Sequence, residues 1–327
     1  MVAAVLSHYL TPVLRDAAIR FGIVDRPDAK LKTHAAPVPY LGGIAIYLSF
    51  LLALAFTIEF QLEVLGILLA GAIMVLLGLI DDLGGLHPGV KLAGQAVAVI
   101  PLLKASVMIK LTFLPEWLAL VLSVVWLLAV TNALNLIDVM DGLAAGVAFI
   151  AALMFIGVAL GNERDVVANL LAALAGSLFG FLRYNLPPAR IYLGDAGSLF
   201  IGLMLGALAM NNAYTKQNLV ASLSPALILA VPLLDMLLVM YVRWRRGIPI
   251  LRGSPDHIAL RMRRWGLTVR QTVWTSYLAS VAFGALGIAI MLVDGYTAVG
   301  ILGGTLLVAV VACFYLQRID MTADIGA

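Results

Sequence analysis

The sequence predicts an all-α, polytopic integral membrane protein with about 10–11 transmembrane helices, and three observations carry that expectation. Of 327 residues, 63% are hydrophobic and 12% charged, with a mean hydropathy of +1.05, whereas soluble chains are roughly half apolar and a quarter charged. Uncharged apolar runs of about 20 residues recur along the chain, each long enough to cross roughly 30 Å of hydrocarbon as helix. The runs are continuous and do not alternate apolar with polar, as the strands of a membrane barrel do.

The runs fall near 40–58, 62–80, 92–110, 117–136, 143–160, 166–184, 198–214, 221–241, 272–293 and 296–316. Residues 3–21 make an eleventh, with Arg15, Asp16 and Arg20 leaving its second half at the interface. Met1 to Leu10 lacks a basic n-region and no small-residue cleavage site follows, so this helix is expected to be retained rather than removed as a signal. Cys313 is the single cysteine, which leaves neither a disulfide framework nor a thiolate metal site. No internal repeat or low-complexity tract is evident, and one membrane domain, 1–327, is the simplest organisation. The longest polar connection, Trp244 to Arg270, is too short for an independent domain but long enough for a loop closing over a site.

Lysine and arginine in short loops set the orientation. One set of loops holds Arg26, Lys30, Lys32, Lys91, Arg183 and Arg190, the arginine-rich stretch from Arg243 to Arg270, and Arg318. The opposite set holds only Lys104, Lys110, Arg164 and Lys216. The first set is therefore expected to face the cytoplasm. The net charge of +3 then reflects topology and anionic headgroups of membrane lipids. It calls for no nucleic acid, and no recognised binding module for one is present.

Four polar clusters end apolar runs on that same face. Asp81 and Asp82 close a run that is otherwise apolar from Met74 to Ile80. Ionisable groups at membrane depth are costly and usually functional; the bland alternative is a pair in headgroup water that caps the next segment. Adjacent helical residues point about 100° apart, so one of the two faces a given ligand while the other orients it or binds a neighbouring cation. The second cluster is Asn132, Asn135, Asp138, Asp141 and Gly142. Steps of three drift about 60° each on a helix, which would carry Asn132 and Asp141 to opposite faces, so the helix is expected to break near Asp138. Asp141 then becomes a candidate N-cap for the segment from Gly142 to Leu160, whose free N–H groups could hold an anion.

The third cluster, Tyr192 to Ser198, surrounds Asp195 with small residues directly before an apolar run. Alone it reads as a helix cap. With the other carboxylates on the same face, it reads as a site for a hard divalent cation that prefers oxygen ligands and keeps some water and phosphate. The fourth, Ser254 to Arg261, holds Asp256 and His257 in the basic loop; the histidine could be a general base, a phosphate contact or an ordinary exposed residue. Lys91, at the mouth of a helix, either pairs with phosphate or snorkels to the interface.

These segments, in this order, resemble the signature of the polyprenyl-phosphate N-acetylhexosamine-1-phosphate transferase superfamily. They are Asp81-Asp82 with Lys91 and Gln95, Asn132 to Gly142, Tyr192 to Ser198, and Asp256-His257 to Arg261. The stretch from His34 to Gly43 is similar to the family's first cytoplasmic loop. The resemblance, to the branch that uses UDP-GlcNAc and undecaprenyl phosphate, covers most of the chain and implies a catalytic site on the cytoplasmic face of the inner (plasma) membrane. It implies transfer of a sugar-1-phosphate, by default GlcNAc-1-phosphate, from a UDP-sugar to a polyprenyl phosphate, with release of UMP. Such a reaction opens a lipid-linked envelope glycan; whether for cell wall, lipopolysaccharide or teichoic acid is left open. It implies Mg²⁺, with Mn²⁺ as the substitute, bound by Asp195. Asp81 or Asp82 would deprotonate or position the lipid phosphate, a covalent aspartate route being the alternative. Asn132, Asn135, Asp138 and Asp141 would line the nucleotide pocket, with Tyr192 stacked on uracil. Lys91 and His257 would contact phosphates, Arg261 joins the substrate-binding residues, and a homodimer is compatible with the pattern.

The chain departs from the family pattern at Ala259 and Leu260, where further histidines are usual, and at Ala35, Ala36 and Tyr40, where basic residues are common. The carboxylates are untouched. A CDP-alcohol phosphotransferase would need an arginine shortly after Asp141-Gly142 and further spaced aspartates, which the sequence lacks. A transporter of a nucleotide or phosphorylated solute would place its polar groups near the bilayer midplane, whereas these gather at one interface.

Overall fold

The computed structural model describes residues 1–25, 38–56, 61–111, 113–249, 255–319 and 321. The loop-motif residues His34, Ala35 and Ala36 lie outside them, as do Arg26, Lys30, Lys32, Arg252 and Ser254. The described chain is an all-α bundle: α1 (Val2–Phe21), α2 (Gly42–Ala55), α3 (Leu62–Gly84), α4 (Pro88–Lys104), α5 (Glu116–Leu136), α6 (Leu143–Gly161), α7 (Asp165–Asn185), α8 (Gly194–Met210), α9 (Ser224–Ile228), α10 (Ala230–Arg245), α11 (Ile258–Arg264), α12 (Val269–Leu292) and α13 (Gly295–Leu316). A two-residue antiparallel pair sets Val24 opposite Pro39 and Asp25 opposite Val38.

Every expected apolar run forms helix, but not every helix is long enough to span. Among the described residues six are long and apolar enough to cross a membrane, namely α3, α5, α6, α7, α12 and α13, or seven if the bent α9–α10 pair counts as one. The expected spans at 40–58 and 198–214 become helices of 14 and 17 residues. At 1.5 Å per residue these reach only about 21 and 26 Å. The expected single span over 221–241 is corrected to two pieces meeting at 82°. Pro232 explains the break, since it has no N–H for the carbonyl of Ile228 and its ring would collide with that carbonyl in a continuous helix.

Burial grades the bundle from centre to rim: the apolar windows of α7 and α13 are 67% and 11% buried. α8 sits at the centre, packed on α2, α3, α5, α6 and α7, and every residue from Ala196 to Ala209 is buried. Such a helix is apolar all round because it has no solvent face. Its neighbours approach closely where side chains are missing. A Cβ on Gly43 would lie 2.1 Å from the backbone nitrogen of Gly197, and one on Gly78 would lie 2.5 Å from Cα of Ala196. Small residues allow this backbone-to-backbone packing, and it brings the ends of α2 and α3 against the start of α8.

Candidate active site

Gly78 sets the geometry of the acidic pair one turn later, because it lets the last turn of α3 lie against the first turn of α8. Asp82 then accepts the backbone N–H groups of Asp195 at 2.8 Å and Ala196 at 3.1 Å. Its charge meets the N–H groups that have no partner within α8 and the positive end of that helix's dipole. Gly194 enters this turn at φ +73°, where a Cβ would also crowd the Asp82 carboxylate at 2.8 Å. Asp81 points elsewhere, accepting the N–H of Leu86 at 2.6 Å and pairing with Lys91 Nζ at 2.7 Å.

Lys91, on the first turn of α4, is the hub of the cluster. Besides Asp81 it reaches the Asp195 carboxylate at 3.1 Å and Asn135 Oδ1 at 3.0 Å, so its three donors have three acceptors from three helices. Asn135 donates its amide to Asp195 and to Ser198 Oγ, the latter at 2.9 Å. The Asp195 side chain remains 32% exposed against 8% for Asp81, which makes Asp195 the more accessible carboxylate for an incoming ligand.

α5 ends at Leu136, as the expected break near Asp138 requires. The half-buried carboxyl of Asp138 is pushed up to about 8, first by burial and then by the negative charges of Asp195, Asp82 and Asp141. Asp141 does not cap α6, contrary to expectation: the N-cap is Gly142 at φ +75°, with no side-chain cap. Asp141 instead accepts the N–H of Ala189 at 2.8 Å. Asn185, which the sequence reading passed over, takes the Gly142 N–H at 3.1 Å and donates to the Ile191 carbonyl at 3.0 Å, holding this loop to the approach to α8.

The amide of Asn132 is turned to another partner, and Tyr192 is anchored by its backbone. Asn132 forms a reciprocal amide pair with the fully buried Gln95, at 2.6 and 3.2 Å, one helical turn below the hub. Tyr192 is fixed through its backbone, its N–H donating to Pro39 at 2.8 Å and its carbonyl accepting from Gly42 at 3.1 Å.

His257 and Arg261 belong to a second constellation, on α10, α11 and the end of α13. His257 Nδ1 lies 2.7 Å from Asp235 Oδ2, and Asp235 Oδ1 accepts the N–H of Ile258 at 2.5 Å. The sequence reading missed Asp235. The signal was there: it is the only charged residue between positions 217 and 242, within an apolar run. Arg261, expected to bind substrate, is fully buried and bonded to protein groups. Its guanidinium bonds the Asp256 carboxylate at 2.8 Å and carbonyl, and the carbonyls of Leu316, Gln317 and Ile319 at 3.1–3.2 Å. Arg246 joins it on Asp256 at 3.1 Å. Packing of α10 on α5 links the two constellations.

Among the described residues no three acidic or histidine side chains converge as a ready-made metal cage. The donor chemistry nevertheless fits a magnesium ion. Asp81, Asp82, Asp138 and Asp195 bring four carboxyl groups to a region with one ammonium, and Lys91 Nζ already occupies a cation position between Asp81 and Asp195. Mg²⁺ is typically held by one or two carboxylates, with water and substrate phosphate completing its shell.

Comparison with known proteins matches residues 64–213 to the model of glycosyl transferase family 4. A probable undecaprenyl-phosphate N-acetylglucosaminyl 1-phosphate transferase of Bacillus subtilis is 32% identical over 290 residues, covering 86% of this chain and 81% of that one. A decaprenyl-phosphate N-acetylglucosaminephosphotransferase of Mycolicibacterium smegmatis is 33% identical, over 95% of this chain and 86% of that one. A phospho-N-acetylmuramoyl-pentapeptide-transferase of Heliobacterium modesticaldum is 32% identical, over 87% and 94%. With the matched segment running from α3 through α8 and so spanning the whole Asp81–Lys91–Asn135–Asp195 cluster, the chain belongs to the superfamily of polyprenyl-phosphate N-acetylhexosamine-1-phosphate transferases.

Proposed function

We propose that this protein transfers GlcNAc-1-phosphate from UDP-GlcNAc to a polyprenyl phosphate, releasing UMP and leaving the sugar on a lipid pyrophosphate. One observation carries the reading. Asp81, Lys91, Asn135 and Asp195, from four helices, meet at one end of a membrane bundle. A lipid phosphate from the bilayer and a nucleotide from water can both arrive there. The basic loops at that end support a cytoplasmic active site in the inner membrane. The transporter alternative gains nothing from the relatives above, each named as a transferase.

In the reaction an oxygen of the lipid phosphate forms a bond to the sugar-bearing phosphorus as the bond from that phosphorus to the UMP oxygen breaks. Both partners are anionic, so lowering their mutual repulsion is the main electrostatic task. Lys91 supplies a fixed ammonium for a phosphate oxygen, while Asp81 holds it by an ion pair and limits its travel. Asp82 fixes the backbone at the start of α8 and thereby the direction of Asp195. Asp138, Asp141 and Asn135 line the approach for the nucleotide, with Tyr192 beside it for the uracil ring. A bound Mg²⁺, held by Asp195, would neutralise the donor's pyrophosphate, and Mn²⁺ is the expected substitute.

The test is an assay of the purified protein with undecaprenyl phosphate, labelled UDP-GlcNAc and Mg²⁺, scored for butanol-extractable label and UMP, with Asp195→Asn alongside. Lipid-linked label that disappears with chelator and in Asp195→Asn is the expected result. Full activity in that variant would sink the metal assignment. Nucleotide binding without product moves the donor to another UDP-N-acetylhexosamine, the muramoyl-pentapeptide donor included.

A further inference from the structure

We propose that Asp235 is a positioning residue: its carboxylate fixes the ring orientation and tautomer of His257, leaving the Nε2 lone pair to accept the proton of a substrate phosphate hydroxyl, the resulting imidazolium being held by the Asp235 carboxylate. The inference rests on the transferase reading above for its chemistry, and on geometry alone for its structure. Asp235 lies in the second turn of α10, is 1% exposed, and uses both oxygens. One meets His257 Nδ1 at 2.7 Å and the other the N–H of Ile258, the first residue of α11, at 2.5 Å. The ring and the backbone just beyond it are thus held by one group on a different helix.

The chemistry of that contact fixes a proton. A carboxylate only accepts hydrogen bonds, so the ring nitrogen facing it carries the hydrogen. In the neutral ring the other nitrogen then holds the lone pair, a choice set by the partner of the first. Nε2 has no hydrogen-bond partner among the described residues, and the ring is 5% exposed. Arg246 and Arg261 clamp the preceding Asp256 at 3.1 and 2.8 Å, which anchors the backbone beside the ring. A carboxylate in an apolar run, whose removal would leave a buried ring nitrogen and a helix-start N–H unpaired, is costly to keep for capping alone.

A capping role and a positioning role separate in Asp235→Asn. The amide is the same size and its oxygen can still take the Ile258 N–H, so the cap survives. Its NH₂ then faces Nδ1 and donates to it, which moves the ring proton to Nε2. The chain has four histidines, so nitrogen-15 histidine labelling with long-range proton correlation in micelles resolves each ring, and loss of one spin system in His257→Gln assigns the fourth.

The expected result is an Nδ1–H signature for His257 in the wild type and an Nε2–H signature in Asp235→Asn. In the transferase assay Asp235→Asn loses on the order of 10²-fold in kcat, the lower end of what a positioned acid–base group contributes, with KM for the UDP-sugar unchanged. In a His257→Gln background the same change has no further effect. A wild-type ring protonated at Nε2 and bare at Nδ1, or an equal loss from Asp235→Asn in both backgrounds, overturns the assignment. The ring signature reads out without turnover. If no UDP-sugar is consumed the functional reading fails while the positioning claim is still decided, and if Asp235→Asn does not accumulate the wild-type spectrum decides it.

Discussion

Asp82 holds Asp195 by the backbone: its carboxylate accepts the Asp195 N–H at 2.8 Å, joining the last turn of α3 to the first of α8. The two acidic residues of the α3 motif therefore divide their work, Asp81 on the Lys91 ammonium and Asp82 on the helix that carries the proposed metal ligand. Asp82→Asn should lower both stability and turnover. A partly buried charge at a helix terminus contributes up to about 2 kcal/mol, so the melting temperature should fall by several degrees together with at least a tenfold loss of kcat. Asp195→Asn should lose turnover with its melting temperature kept, and thermal unfolding of both variants in detergent tells the roles apart.

Lys91→Met removes the cation that bridges Asp81 and Asp195. Breaking a buried pair by deleting one partner costs roughly 3–5 kcal/mol, and a divalent ion could replace much of it. Turnover should drop by more than about 10²-fold, while Mg²⁺ should raise the melting temperature further in the variant than in the wild type. Equal shifts in the two proteins would argue against the ammonium and the metal sharing one carboxylate field.

Asp138 gives stability a pH dependence of defined sign. Its folded value of about 8 lies above the reference 3.8, so the folded state holds the extra proton between them. That contribution is complete below about pH 4 and is lost as pH rises to and through 8. With chelator present, melting temperature should decline between pH 5 and 8.5, and Asp138→Asn should flatten the decline. An unchanged slope in the variant would reject the assignment.

Gly43→Ala tests the close approach of α2 to α8. The added carbon would meet the backbone nitrogen of Gly197 at 2.1 Å, and backbone cannot rotate aside as a side chain can. The cost should reach or exceed the usual 1–3 kcal/mol of overpacking, seen as a loss of monodisperse protein on size exclusion. Gly300→Ala, with open space at the new carbon, is the control.

Arg261→Ala should destabilise without touching substrate affinity. Deleting the guanidinium removes the fully buried partner of Asp256 and frees three carbonyls at the end of α13. A loss of roughly 3–5 kcal/mol is expected, with KM for the UDP-sugar unchanged. A raised KM at normal stability would restore Arg261 to the substrate pocket.

Much of this was legible before any coordinates. Continuous apolar runs gave the helices, and the run's end at Asp138 gave the break after α5, because periodicity and polarity are local properties. Pairing was not. Nothing local says that Asp82 will cap a helix 113 residues further on, that Asn132 will spend its amide on Gln95, or that Arg261 will tie down the end of α13. Asp141 looked like an N-cap because it precedes an apolar helix, but Gly142 took the left-handed turn and freed it to hold Ala189. Asp235 was missed because an apolar run was read as a span first and for its exceptions second.

The complete enclosure of α8 ties chemistry to the order of assembly. A helix enclosed by five neighbours exchanges its lipid contacts for contacts with them, and takes its final position from them. It also carries Asp195, and the residue that aims Asp195 comes from another helix. A chain in which α8 had not docked would hold Asp81 and Lys91 without their counterpart. Turnover in this protein is a report that the whole bundle has closed, so a variant that loses activity must be checked for closure before its side chain is credited with chemistry.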